Sequence, residues 1–245
     1  MLIDLIRSGL PLPKMIYMLV IYLFAMTLSF SIHEYMHAAA AVWLGDQTPK
    51  NMGRLTLNPI AHIDLTGIAL ILLAGFGWGK PVTYNPWRLN RFKSSRLMNS
   101  IVHVAGVTGN FVLAYISNLL ALLFSAINIK FDLGAASMAL TTLTELFAYT
   151  YVFSLMLLAF NLLPVAPLDG FHLLEEFLPH KVKASNGYRK YISIAPYVLW
   201  ILFLAGYCLR IPILDMIVST VEIPFEKLIN LLSMPFIFLG QAVGL

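Results

Sequence analysis

An all-α polytopic membrane protein is the fold class this sequence predicts, and three observations carry the prediction. Of its 245 residues 59% are hydrophobic and only 11% are charged, with a mean hydropathy of +0.80, far from the mixed composition of a soluble domain. Four apolar stretches, at roughly 15–44, 97–126, 138–163 and 192–209, are long enough to cross about 30 Å of hydrocarbon. The lysines and arginines cluster in the loops beside these stretches. No repeat of roughly 20–50 residues is visible and no Gly/Ser-rich linker divides the chain, so a single domain over 1–245 is expected. Three of the spanning stretches fall within about 15–175, and one or two further helices are expected C-terminal to them at about 192–243.

The first stretch carries an uncharged run, Met15 to Ile32, and then His33-Glu34-Tyr35-Met36-His37. It is longer than the apolar region of a signal peptide, and the small residues Ala38 to Ala41 come only after the polar pentapeptide, so it is expected to be retained. The segment Thr66 to Trp78 is apolar but about thirteen residues long, too short for an ordinary spanning helix. With glycines at 75, 77 and 79 and prolines at 59 and 81, it reads as a short re-entrant, partly extended loop. Such backbone survives at membrane depth only where protein or a water-filled cavity satisfies its polar groups, which places the loop against an active site if there is one. The last stretch, 212–243, is interrupted by Pro212, Glu222, Pro224, Glu226, Lys227 and Pro235, and is expected to span or to lie in the interface.

Charge orders these elements. Eleven of the sixteen basic residues lie between 45 and 96 or between 169 and 191. If the segment 66–78 returns to the side it came from, both clusters fall on one face, which the positive-inside rule assigns to the cytoplasm. The net charge of +4 therefore reports orientation in the lipid bilayer, and no basic, aromatic-interleaved surface for nucleic acid is evident. The single cysteine, Cys208, forms no internal disulfide and is expected to be a buried, inert thiol. The four tryptophans are expected at the membrane interfaces.

Two imidazoles and a carboxylate are costly at membrane depth, and a metal ion is the partner that best accounts for them. Residues i and i+4 share a helix face, so His33 and His37 can present two nitrogens to one ion while Glu34 leans beside it. Two histidines leave a tetrahedral zinc ion short of a protein ligand and of the open position a hydrolase needs, so a third group must come from elsewhere. The candidate is Asp169, in Asn161-Leu162-Leu163-Pro164-Val165-Ala166-Pro167-Leu168-Asp169-Gly170, where two prolines end a membrane helix and Gly170 permits a tight turn. In the re-entrant layout the helices 15–44 and 138–163 end on the same side, so Asp169 can reach the pair.

The HExxH at 33–37 and the NxxPxxPxxDG pattern at 161–170 resemble those of the site-2 protease family of intramembrane zinc metalloproteases, in the same order and separation. Ala105-Gly106-Val107-Thr108-Gly109-Asn110 is similar to that family's AGPxxN segment, with Val107 in place of the usual proline. Gly75-Phe76-Gly77 resembles the Gly-x-Gly of its re-entrant loop, and Phe171 stands where many relatives have a second glycine. The resemblance covers roughly residues 15–175, and the chain is similar to a compact prokaryotic branch lacking a PDZ domain.

That resemblance implies one zinc ion per chain held by His33, His37 and Asp169, Glu34 as general base, and a membrane-protein substrate cut in a prokaryotic cell membrane. It implies that Asn161 and Asn110 donate hydrogen bonds to the substrate backbone, and that the loop edge at Gly75 and Gly77 holds an unwound substrate strand. Of the other titratable groups, His62 is expected to make local loop bonds, His103 to be an interior histidine, His172 to be interfacial, and Glu145 to reach the headgroups. The rival reading is a zinc transporter or binding protein, which would want a second histidine set on a neighbouring helix lining a path across the bilayer. A di-iron oxidase fits less well, since six histidines with one pair at ligand spacing cannot fill two iron sites.

Overall fold

The computed structural model describes residues 9–67, 70, 79–131, 134–209 and 211–242. Helix α1 (Leu12–Trp43) is followed by a short α2 (Thr48–Asn51), then by α3 (Ser95–Lys130) and α4 (Ala135–Asn161). Helices α5 (Asp169–Glu175), α6 (His180–Lys183), α7 (Asn186–Leu209) and α8 (Ile213–Ala242) complete the chain. Four of them are long and apolar enough to cross a bilayer: α1, α3, α4 and most of α8. Leu12, Ile16, Val20 and Phe24, spaced four apart on α1, lie exposed as a lipid-facing stripe.

Side-chain pairs fix the directions of the core helices. Tyr17 donates to Glu145 at 2.8 Å and Ser29 pairs with Ser154 at 2.9 Å, so α1 and α4 run parallel and end together. Helix α3 runs against both, since its Asn128 meets Thr141 at 3.2 Å near the start of α4. Ala25, Met26 and Phe153 form the α1–α4 core, and Ala114, Leu155 and Ile229 seat α8 against α3 and α4. Glu145 is thus bound to the Tyr17 hydroxyl across the two helices. Half-buried between the helices, its carboxylate takes a donor from the Tyr17 hydroxyl.

The predicted interruption of 212–243 does not occur. Helix α8 is continuous through Pro224 and Pro235, as α7 is through Pro196. Proline removes one helical hydrogen bond, which membrane helices accommodate by local adjustment. Cys208 is exposed on α7 instead of buried.

The re-entrant segment 66–78, including Gly75 and Gly77, lies largely outside the described residues, but its ends do not. Ile63 and Gly79 form an antiparallel bridge, and Lys80 N–H donates to the His62 carbonyl at 2.7 Å. The chain therefore leaves and returns at one place. The loops around it are tied to the end of α1: Asn90 N–H reaches the Leu44 carbonyl at 2.9 Å, and the buried Asp46 accepts from the Asn85 and Thr48 backbone N–H groups at 2.6 and 3.0 Å. Gly45, at φ 120°, is required at this junction, because that backbone conformation disfavours any side chain and a Cβ would also collide with Asn90.

Candidate metal centre

His33 and His37 stand one helical turn apart on the inner face of α1, both buried. Asp169 arrives from the first residue of α5, which follows the Pro164–Leu168 bend at the end of α4. Hydrogen bonds from Val165 N–H to the Leu163 carbonyl and from Leu168 N–H to the Val165 carbonyl shape the bend, and the Tyr191 hydroxyl on α7 accepts from Ala166 N–H at 3.3 Å. Gly170 lies where a Cβ would fall 2.7 Å from the Leu163 carbonyl oxygen, so glycine lets α5 start directly beneath α4. Phe171, buried with Ala166 and Ala195 and packed on Tyr188, anchors α5 to α7.

The result is an equilateral arrangement of donors. His33 Nε2, His37 Nε2 and Asp169 Oδ2 are each 3.1 Å from the other two. Tetrahedral zinc with nitrogen and oxygen ligands at about 2.0–2.1 Å places its donors about 3.3 Å apart, so these three atoms fit such an ion and leave its fourth position open. Among the described residues no other three such side chains converge in this way. Burial alone would raise the Asp169 carboxyl, but the two facing imidazoles outweigh it and hold the group well below the usual carboxylate range.

The surroundings hold the triangle. His37 Nδ1 lies 2.7 Å from the Val102 carbonyl, and His33 Nδ1 lies 3.2 Å from the Asn110 amide, both on α3. Gly106, one turn between them, lets α3 pass against the rings: a Cβ there would sit 2.7 Å from His33 Cε1. Glu34, beside the pair, accepts from Val82 N–H at 2.8 Å, just beyond the re-entrant segment.

Other sequence expectations land elsewhere. Asn110, expected on the substrate backbone, is fully buried behind the His33 ring, with its amide 3.2 Å from His33 Nδ1. Asn161 donates to the Leu157 carbonyl of its own helix at 2.9 Å and keeps a second amide hydrogen. His62 is buried and bonded to the Thr56 carbonyl at 2.8 Å, the local loop bond expected of it. His103 is in a polar cluster that the sequence did not show: it meets the Tyr84 hydroxyl at 3.2 Å and stacks on His172, which in turn contacts Glu175 at 3.3 Å. His172, expected to be interfacial, is therefore paired with Glu175. Burial would raise Glu175, but its bonds to Tyr188 and His172 bring its carboxyl below the ordinary value.

The profile of Peptidase family M50 matches residues 21–204, a span that contains all three converging side chains. The chain belongs to Peptidase family M50. It is 38% identical over 207 residues to a Bacillus subtilis protein named Putative zinc metalloprotease YwhC, covering 80% of this chain and 90% of that one. It is also 31% identical over 186 residues to Putative zinc metalloprotease Rip2 of Mycobacterium tuberculosis, covering 72% of this chain and 64% of the relative. A Mycolicibacterium smegmatis protein of the same name is 31% identical over 159 residues, 62% of this chain and 54% of its own length. No solved structure matches. As an M50 member with four apolar helices of spanning length, this chain is a multi-pass membrane metalloprotease.

Proposed function

We propose that this M50 protein is a zinc-dependent intramembrane endopeptidase of the site-2 protease type that hydrolyses peptide bonds of membrane-spanning proteins. The observation that carries the reading is the buried triangle of His33, His37 and Asp169, three ligand atoms 3.1 Å apart where two parallel membrane helices end. Those residues would hold one zinc ion, which when bound polarises a carbonyl and acidifies water. Glu34 takes a proton from the attacking water and passes it to the leaving amine. Val82 N–H holds Glu34 Oε2, and a carboxylate with four lone-pair sites keeps acceptor capacity for that proton.

A substrate helix has its carbonyls bonded internally and must unwind before attack. The edge of the re-entrant loop at Gly75 and Gly77 would pair with the unwound strand, and the second Asn161 amide hydrogen is free to meet a substrate carbonyl. The bonded ends of that loop, together with the parallel course of α1 and α4, support placing both basic clusters on one face. The site then opens toward the cytoplasm, in a prokaryotic cell membrane.

The zinc-carrier alternative needs further histidines along a path through the bundle. His103 instead stacks on His172 at the same end as the triangle, and among the described residues no ladder continues from it. Co-expression with candidate single-pass membrane proteins tests the assignment. Glu34→Gln is expected to abolish cleavage and to keep its metal, and cleavage at the parental rate by this variant would refute the protease mechanism. Zinc flux in reconstituted vesicles without proteolysis would instead establish the carrier.

A further inference from the structure

We infer that Asn110 is a positioning residue whose side-chain carbonyl fixes His33 in the tautomer that turns Nε2 toward the metal; the inference rests on the reading of His33 as a ligand. An imidazole binds a cation through an unprotonated nitrogen, so its other nitrogen carries hydrogen. In a dry helix bundle that N–H must find an acceptor. For His37 the acceptor is unambiguous. The Val102 carbonyl at 2.7 Å from Nδ1 can only accept, so hydrogen sits on Nδ1 and the Nε2 lone pair faces the triangle.

Among the described residues His33 Nδ1 meets no backbone carbonyl. Its neighbour is the Asn110 amide at 3.2 Å, fully buried, and an amide can either donate or accept. With Nδ2 toward the ring, Nδ1 is the acceptor and the ring hydrogen lies on Nε2, where it points at Asp169 Oδ2 3.1 Å away. That arrangement suits a site without a cation, and it leaves Asn110 Oδ1 buried with no partner. Turning the amide by half a rotation brings Oδ1 to the ring, where it accepts from Nδ1–H, and carries the amide nitrogen to the side that Oδ1 had occupied. The Nε2 lone pair then joins that of His37. Only the accepting orientation of Asn110, which holds the ring hydrogen on Nδ1, is compatible with a bound cation.

The helix geometry accounts for its position. Val102, Gly106 and Asn110 are spaced four apart on one face of α3. The two outer residues serve the two imidazoles, and the glycine between them permits the close approach.

Zinc affinity of the full-length protein in detergent, measured by competition with a chelator, tests this without reference to activity. Asn110→Leu removes the acceptor at similar volume and is expected to weaken zinc binding about 10–100-fold, with Asn110→Ala as the second deletion should the leucine disturb folding. Asn110→Asp, which only accepts, is expected to bind zinc about as tightly as wild type. Deletion variants that bind like wild type overturn the inference, as does an aspartate variant as weak as the deletions, since that result would make the amide hydrogen the essential group. Wild-type protein that binds no zinc would instead remove the metal-site reading, and this inference with it.

Discussion

The Glu34 carboxylate accepts a hydrogen bond from the Val82 backbone N–H at 2.8 Å, which ties the proposed general base on α1 to the chain emerging from the re-entrant segment. The tie depends on a backbone donor, so only proline removes it. Position 82 lies outside any helix or strand, where a proline breaks no helical or ladder bond. A hydrogen bond to a charged group contributes about 1.5–3 kcal/mol, so Val82→Pro is expected to lower the cleavage rate roughly 10–100-fold and to leave zinc content unchanged. Rate and metal content measured on the same preparation check this, and an unchanged rate would show that Glu34 does not rely on the contact.

Gly106 governs how closely α3 approaches the imidazoles. A Cβ there would sit 2.7 Å from His33 Cε1 and 2.8 Å from His33 Nδ1, so Gly106→Ala must displace a ring. The expected result is a zinc affinity at least tenfold weaker and a stability loss of about 1–3 kcal/mol, the usual cost of overpacking. Gly187→Ala on α7 is the control: a Cβ there meets only Ser185 Oγ at 4.0 Å, and alanine is the better helix former. Chelator competition and thermal unfolding of the two variants separate the effects.

Features that depend on short spacings along the chain were legible beforehand. His33 and His37 share a face because of the helix repeat, and the two prolines before Asp169 end α4 wherever the rest of the molecule lies. The re-entrant course expected of segment 66–78 from its length lies largely outside the described residues, whose Ile63–Gly79 bridge brings its two ends together. The partners of those groups were not readable. Asn110 meets His33 only because α3 runs against α1 in one register, and no local pattern encodes that register. The Val102 carbonyl and the Val82 N–H are backbone groups, which no residue letter announces. Cys208 was misplaced for a related reason: composition shows that a helix is apolar, but which face is exposed depends on its neighbours.

Gly170 carries a separate prediction about how Asp169 is delivered. A Cβ at this position would meet the Leu162 and Leu163 backbone, which cannot yield as a flexible side chain would. Gly170→Ala is expected to push α5 away from α4 and to weaken zinc binding nearly as much as Asp169→Ala, although every ligand is still present. Zinc-edge absorption spectra should show fewer protein ligands in this variant, and an unaltered spectrum would contradict the account.

Asp46 anchors the loops that hold Val82 in place. It is buried, and burial alone would raise its carboxyl, but the Asn85 and Thr48 donors outweigh this and lower it below the ordinary value. A lowered carboxyl gives stability that is fully present above the unfolded value of about 3.9 and is lost as pH falls through the folded value. Asp46→Ala orphans two backbone N–H groups and is expected to cost about 1–3 kcal/mol near neutral pH. Thermal unfolding across pH should show the gap between wild type and variant closing only below about pH 4. A gap that closes near neutral pH would exclude this source.

Zinc stoichiometry is the most direct test of the centre itself. Purified wild-type protein, loaded with zinc and freed of excess, is expected to retain one ion per chain. Asp169→Ala, which removes one corner of the 3.1 Å triangle, is expected to retain less than about a tenth of that under the same wash. An Asp169→Ala protein that keeps a full equivalent of zinc at His33 and His37 would show that the distant aspartate is not part of the centre.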